Sequence, residues 1–217
     1  MDSVEAASGP AVALEGAAAA MPPPMSGRIG PNAIIRLREV MLEEMGPGPT
    51  ARLLRDAGLS RYVDTLPDHM VEEAEVVALH GTLRRSLPKV QSARLAFQAG
   101  VRTADYLLAH RIPKTVQRLL KLLPASLASR LLLAAIGRHA WTFAGTGRFT
   151  VEDTCPAVVS IADCPTSRGL FGDRPQGEFY SGTFQRLFQV LVHSDARVSQ
   201  THCESIGDPC SRWQIRW

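Results

Sequence analysis

The sequence contains four cysteines, whose chemical role depends strongly on their surroundings. They are Cys155, Cys164, Cys203 and Cys210. A thiolate can act as a nucleophile or a metal ligand, and two thiols can join as a disulfide. The N-terminus carries Asp2 and Glu5 where an export signal would have positive charge, so we expect a cytoplasmic protein. Because the cytoplasm keeps thiols reduced, the sequence favours free thiols or metal ligands over disulfides.

No cofactor motif accompanies these thiols. Gly145-Thr146-Gly147 is the one suggestive glycine pair, but it precedes a predicted strand and lacks the third glycine of the dinucleotide fingerprint. The sequence also contains no Cys-x-x-Cys pair of the kind that holds an iron–sulfur cluster. We therefore predict no nicotinamide or flavin site, and no residue is assigned a catalytic role.

The composition is that of an ordinary folded domain, with 45% hydrophobic and 21% charged residues among 217. The formal net charge is +3 and the basic residues are scattered among acids, so we expect no nucleic-acid partner. No apolar run approaches the roughly 20 residues of a membrane span, so we predict no transmembrane segment. Residues 1–27 are rich in Ala, Gly and Pro, which predicts a disordered tail.

Helical periodicity dominates residues 28–140. The longest predicted helix covers residues 89–109, where small side chains such as Gly100 would let another helix approach closely. Prolines at 113 and 124 predict the starts of two more helices. In the helix before residue 88, we expect Glu72, Glu73 and Glu75 to face water. The buried stripe of that helix is predicted to be Met70, Ala74, Val77 and Gly81.

The pattern changes to that of strands over residues 141–217, where Phe149 and Val151 alternate with polar neighbours. A strand over 157–162 and a helix over 176–192 follow, and a strand over 197–203 pairs with the closing segment in a hairpin. In that segment Trp213, Ile215 and Trp217 alternate with polar residues. Helices followed by such strands predict one α+β domain over residues 28–217, with N-terminal helices packed on a twisted antiparallel sheet.

Three segments carry a family likeness: Arg28–Ile34 (RIGPNAI), Arg111–Pro113 (RIP) and His139–Phe149 (HAWTFAGTGRF). Their order and spacing resemble the J-protein family of bacteriochlorophyll biosynthesis, historically named 4-vinyl or 8-vinyl reductases. Residues from about 149 to 217 also resemble the V4R (4-vinyl reductase) small-molecule-binding domain. The likeness implies a fold related in shape to subunits of the transport particle (TRAPP), and a place in bacteriochlorophyll synthesis.

Zinc-containing relatives of the V4R domain bind a structural metal with one glutamate and three cysteines, two of them in the closing hairpin. The resemblance therefore implies zinc ligands at Glu152, Cys164, Cys203 and Cys210. The interval from Cys203 to Cys210 is one residue shorter than in those relatives. Cys155, beside Pro156, is either a substitute ligand or an unrelated buried thiol. Four unligated cysteines that act as small hydrophobic residues are the alternative to a zinc site.

The ligand class that the resemblance implies is a magnesium tetrapyrrole, a flat macrocycle with a metal and a peripheral carboxylate. Its site needs aromatic walls, an imidazole for the metal and an arginine at the rim. The candidate ligand-binding residues are His110, Arg111, His139, Trp141, Phe143, Phe179, Tyr180 and Phe184. The alternative for each of the aromatic residues is a place in the ordinary hydrophobic core.

Three functions are compatible with this resemblance. In the first, the protein binds a tetrapyrrole intermediate, such as divinyl protochlorophyllide, chlorophyllide or a magnesium porphyrin, and carries it between other enzymes of bacteriochlorophyll synthesis. In the second, it is an 8-vinyl reductase that takes electrons from a partner. In the third, it is a scaffolding subunit that pairs through exposed helices, for example as a homodimer. We rank the carrier first, because a reductase needs a cofactor and the sequence has no motif that would bind one.

Overall fold

The computed structural model describes residues 27–217. The predicted disordered tail therefore lies outside the described residues, apart from Gly27. The described part combines α-helices with antiparallel sheets, which confirms the predicted α+β class.

Helices make up most of the chain before residue 145. The α-helices of the described part are α1 (Asn32–Met45), α2 (Pro47–Asp56), α3 (Glu73–Ser86), α4 (Lys89–His110), α5 (Lys114–Leu122), α6 (Ala125–Arg138), α7 (Trp141–Ala144) and α8 (Glu178–Leu191). Pro88, Pro113 and Pro124 directly precede α4, α5 and α6 in extended backbone conformations. Proline fits there because the first backbone N–H groups of a helix have no intrahelical partner. None of the described helices is long and apolar enough to cross a membrane.

Within residues 27–217, two antiparallel sheets accompany the helices. The short strands β1 (Arg28–Ile29) and β2 (Val71–Glu72) pair with each other. The larger sheet contains β3 (Arg148–Thr154), β4 (Ala157–Ala162), β5 (Arg197–His202) and β6 (Ser211–Arg216), in the order β3-β4-β6-β5. The predicted closing hairpin is confirmed, because β5 and β6 pair directly and both Trp213 and Ile215 are fully buried.

Helices α4 and α8 pack closely against each other. Because α8 also contacts the larger sheet, this packing joins the helices to the sheet. A Cβ atom on Gly100 of α4 would meet the carbonyl oxygen of Phe179, and one on Gly182 of α8 would meet that of Phe97. The Thr183 hydroxyl donates a hydrogen bond to the Gly100 carbonyl over 3.1 Å. The predicted close approach of another helix at Gly100 is thus confirmed, and its partner is α8.

The inner side of α3 differs from the prediction. Ala74 is exposed and Val77 is only half-buried. Glu73, which we expected to face water, is buried, because its carboxylate pairs with Arg168 and accepts a hydrogen bond from the Thr146 backbone N–H over 2.7 Å. A buried carboxylate is tolerated when such partners satisfy it. The residues of α3 that are fully buried include Val76, Leu79, His80 and Leu83.

Candidate functional site

Four of the predicted ligand-binding aromatic residues, Phe143, Phe179, Tyr180 and Phe184, lie together in the structure. Their rings pack against one another and against Phe149 and Trp213, with centroid separations of 5.4–6.3 Å. The Tyr180 hydroxyl donates a hydrogen bond to the Phe143 carbonyl over 2.6 Å, and burial raises the pKa of Tyr180 well above its ordinary value. We call this group the aromatic cluster. Its rings fill the space between α8 and the sheet with side chains.

The other predicted ligand-binding residues lie at the surface. His110 and Arg111, at the C-terminal end of α4, are exposed, and His110 lies against the Tyr106 ring. His139, just after α6, is also exposed and its Nδ1 lies 2.9 Å from the Ala135 carbonyl oxygen. Trp141 is 62% exposed. The predicted ligand set is therefore divided between a buried group and a surface group.

A cleft of about 300 Å³ opens elsewhere, between the end of α3, the start of α4 and the loop that leads into α8. We call it the basic cleft. Its main lining residues are Arg84, Arg85, Lys89, Phe171, Arg174 and Gln176. Four of these side chains are cations, and Phe171 is 92% exposed. Among the described residues, Asp173 is the only carboxylate in the lining, and its pKa is lowered by a 2.6 Å contact with Lys89.

Arg84 is the most constrained of the four cations. Its side chain is only 6% exposed, and its Nη2 donates to Glu178 over 2.6 Å and to the Gln176 carbonyl over 3.2 Å. Its Nε and Nη1 atoms have no hydrogen-bond partner among the described residues. Burial lowers the pKa of Arg84 and Glu178 opposes that shift, but a guanidinium keeps its charge. Because these two atoms are enclosed by protein, Arg84 gives the cleft positive charge, while the exposed Arg85 and Lys89 offer the donors that can bind a carboxylate or phosphate.

A second cleft, of about 380 Å³, lies beside the turn at Ser60–Tyr62 and β2. Its charges neutralise one another, because Glu75 pairs with Arg61 over 2.6 Å and accepts a 2.6 Å hydrogen bond from the Tyr62 hydroxyl. This cleft consequently offers less to a charged ligand than the basic cleft does.

His80 lies one helical turn before Arg84 and is fully buried, edge-on to the Phe179 ring at 5.4 Å between centroids. Burial, together with the nearby Arg84 charge, lowers its pKa to about 3, so the imidazole is neutral. Neither ring nitrogen has a side-chain hydrogen-bond partner in the described part of the chain. Neither His80 nor Arg84 was among the predicted site residues. The two residues are four positions apart, which puts them on one face of α3. This spacing was overlooked because the buried side of α3 was predicted wrongly.

The predicted zinc ligands occupy separate environments. Glu152 pairs with Arg212 over 2.7 Å, and Cys210 is half-buried with a pKa raised by burial and by Glu152. Cys164 is buried, its Sγ lies 3.6 Å from the Thr166 hydroxyl, and burial raises its pKa to about 11. Within residues 27–217, no three His, Cys, Asp or Glu side chains are grouped closely enough to hold a metal ion.

Cys203 is the predicted zinc ligand that lies behind the basic cleft. Its Sγ accepts a hydrogen bond from the Gln176 backbone N–H over 3.4 Å and lies 3.1 Å from the Ser205 hydroxyl. These contacts hold the thiol against Gln176, which lines the cleft. The four-residue zinc site stays a prediction of the family resemblance.

Comparison with known proteins gives two relatives with clear sequence similarity. The chain is 40% identical over 193 residues to the "Bacteriochlorophyll synthase 23 kDa chain" of Cereibacter sphaeroides, covering 89% of this chain and 92% of the relative. It is 38% identical over 184 residues to the protein of the same name from Rhodobacter capsulatus, covering 84% of each. No family model matches the chain.

Among solved structures, an H-NOX protein from S. oneidensis in the Fe(II)NO ligation state aligns with a TM-score of 0.44 and 10% identity, over 87% of this chain and 98% of that one. A likeness at that score carries no argument about function. The two sequence matches are long enough and similar enough to assign a family: the chain belongs to the family of the bacteriochlorophyll synthase 23 kDa chains.

Proposed function

We propose that this chain is an accessory protein of bacteriochlorophyll biosynthesis, which binds a magnesium tetrapyrrole intermediate in the basic cleft and delivers it to other enzymes. The place in bacteriochlorophyll biosynthesis rests on the two relatives. The tetrapyrrole rests on the family resemblance, and its placement in the cleft rests on the chemistry of the lining residues.

The observation that carries the proposal is the group of four cations around one cleft. Arg84 is paired with Glu178 and Lys89 with Asp173, whereas neither Arg85 nor Arg174 forms an ion pair with a carboxylate of the described residues. Arg85 and Arg174 therefore leave positive charge in the cleft for a ligand to neutralise. Pigment intermediates of this pathway carry a peripheral carboxylate, which an arginine binds with two parallel hydrogen bonds. The cleft therefore suits the carboxylate edge of the macrocycle.

Phe171 and the size of the cleft favour delivery over enclosure. The Phe171 ring is 92% exposed beside the cations, where it can pack on an apolar face of the macrocycle. A volume of about 300 Å³ lies at the lower end for sites that bury whole drug-sized ligands. The cleft thus admits the polar edge of a tetrapyrrole and leaves most of the ring accessible to a receiving enzyme.

The finer family features are part of the same proposal. The names of the relatives describe one chain of a synthase, and we extend that description to this chain as a partnership with other enzymes of the pathway. The resemblance of residues 149–217 to the V4R domain supports a ligand-binding role. The related TRAPP shape and the structural zinc remain implications of that resemblance.

The test is an absorbance titration of a magnesium porphyrin that has free carboxylates, with the full chain and without any nicotinamide. We expect a spectral shift with the wild-type protein and a weaker one with the dimethyl ester of the same porphyrin. Arg85→Gln and Arg174→Gln together should weaken binding about tenfold or more, because each removes a charged donor. Arg52→Gln, an exposed substitution on α2, is the matched control and should bind like the wild type.

Two outcomes would overturn the proposal. Equal binding of the acid and the ester would show that the cations do not recognise the carboxylate. Formation of monovinyl product from a divinyl substrate with added reductant would favour the reductase alternative over the carrier.

A further inference from the structure

The charges of this chain are segregated in a way that the net charge of +3 conceals. Between Tyr106 and Val151 there is no Asp or Glu, whereas this stretch holds seven Lys and Arg residues. The remainder of the chain carries 17 Lys and Arg against 21 Asp and Glu. None of the seven cations forms an ion pair with a carboxylate of the described residues. They are Arg111, Lys114, Arg118, Lys121, Arg130, Arg138 and Arg148.

The same stretch concentrates exposed apolar side chains. Of the ten large hydrophobic residues that are exposed within residues 27–217, six lie on α5, α6 and α7: Val116, Leu119, Leu122, Leu127, Leu131 and Trp141. Leu122 is 83% exposed and Trp141 is 62% exposed. We call these six residues the α5–α7 face. Scattered exposed hydrophobic residues need no explanation, but this concentration does.

Helix geometry places these residues on the outer side of the molecule. Helix α5 turns Gln117 and Leu120 inward, and α6 turns Ala128, Leu132 and Leu133 inward. Both helices contact α8 and each other. The outward sides of α5 and α6 therefore form one surface that carries both apolar and basic residues. Trp141 of α7 lies three residues beyond the end of α6.

We propose that the α5–α7 face binds the surface of an anionic phospholipid bilayer. Leucine and tryptophan side chains enter the boundary between headgroups and acyl chains, and the surrounding Lys and Arg side chains contact the phosphates. Amphipathic helices that lie in the plane of a membrane combine these two features. Each basic residue near such a surface adds to the attraction.

The charges argue against the other occupants. A second copy of the chain, packed through the same face, would bring two sets of unpaired cations together. A nucleic acid would satisfy the cations but leave the leucines in water, because its phosphate backbone offers no apolar surface to Leu119 and Leu122. A bilayer satisfies both.

The experiment is flotation of the full chain with vesicles of phosphatidylcholine alone or of phosphatidylcholine with phosphatidylglycerol. We expect binding to the anionic vesicles only, and its loss at high salt. Lys114→Gln, Arg118→Gln and Lys121→Gln together should weaken binding roughly a hundredfold, at about fivefold for each charge. Leu122→Glu should weaken it about tenfold or more.

A matched control and a spectroscopic readout keep the test independent of folding. Val90 on α4 is 77% exposed and outside the α5–α7 face, so Val90→Glu should bind vesicles like the wild type. Trp213 is fully buried and Trp217 half-buried, so quenching by brominated lipid should come mainly from Trp141 and disappear in Trp141→Phe. Equal binding to neutral vesicles, no binding to either, or a dimer that Leu122→Glu dissociates would each overturn the proposal.

Discussion

The aromatic cluster and the basic cleft are neighbouring regions of this molecule with opposite character. The cluster consists of residues that sequence patterns identify easily, and in the structure their rings fill the space between helix and sheet. The cleft consists of arginines, a lysine and an exposed phenylalanine from segments more than 80 residues apart, and it remains open. Aromatic periodicity therefore marks where the protein is packed. Charges at the end of α3 mark the cleft that we propose as the binding site.

The sharpest way to break this comparison is to remove a ring from the cluster. Trp213 is fully buried and its Nε1 donates to the Ser181 hydroxyl over 3.0 Å. We expect Trp213→Ala to lower the free energy of unfolding by about 3–5 kcal/mol, because it leaves a cavity. Urea denaturation measures this. The matched variant Trp141→Ala, at a 62% exposed site, should change stability by no more than about 0.5 kcal/mol.

The contact between α4 and α8 tests how tightly the cluster side is packed. At Gly100 a Cβ atom would meet the Phe179 carbonyl, so Gly100→Ala should cost about 1–3 kcal/mol in the free energy of unfolding. Gly48 on α2 has no atom within 4 Å of such a Cβ, so Gly48→Ala should be neutral or slightly stabilising. Equal behaviour of the two variants in thermal denaturation would contradict the close crossing.

His80 lies between the two regions and should make stability depend on pH. Its pKa is about 3 in the folded protein against 6.5 as the ordinary value, so the unfolded chain takes up a proton that the folded chain refuses. The contribution of neutral His80 to the free energy of unfolding is present above pH 6.5 and is lost as the pH falls toward 3. The loss is about 2 kcal/mol between pH 7 and pH 5. Urea titrations at both pH values should show a smaller loss for His80→Leu. An unchanged loss would show that His80 is not the titrating group.

The smallest expected effect on stability lies at the mouth of the basic cleft. Phe171 is 92% exposed, so Phe171→Ala should leave the free energy of unfolding within about 0.5 kcal/mol of the wild type. It should nevertheless weaken magnesium porphyrin binding severalfold, because the ring packs on the macrocycle. Porphyrin affinity equal to that of the wild type would remove Phe171 from the proposed site.

Much of the fold could be predicted because it depends on local periodicity. Alternation at Trp213 and Ile215 identified the closing strand, and prolines identified the starts of α5 and α6. The inner face of α3 could not be predicted in this way. Its position depends on Arg168 and Thr146, which satisfy the buried Glu73 from far along the chain.

The candidate site was predictable only in part. Pigment binding by the predicted residues stays a prediction, because periodicity cannot tell a wall of a pocket from a filled core. Phe179 and Tyr180 have the same pattern in either case, and the structure packs them against other rings. Zinc binding at Glu152, Cys164, Cys203 and Cys210 stays a prediction.

The sequence by itself determined the family, the α+β class and the order of the elements, because identity and periodicity are properties of neighbours along the chain. It also contained the uneven distribution of charge around α5 and α6. Only the tertiary structure decided which side chains share a surface. Burial depends on elements from opposite ends of the chain, and so Arg84 meets Arg174 and Phe171 in one cleft while Phe184 is enclosed by rings.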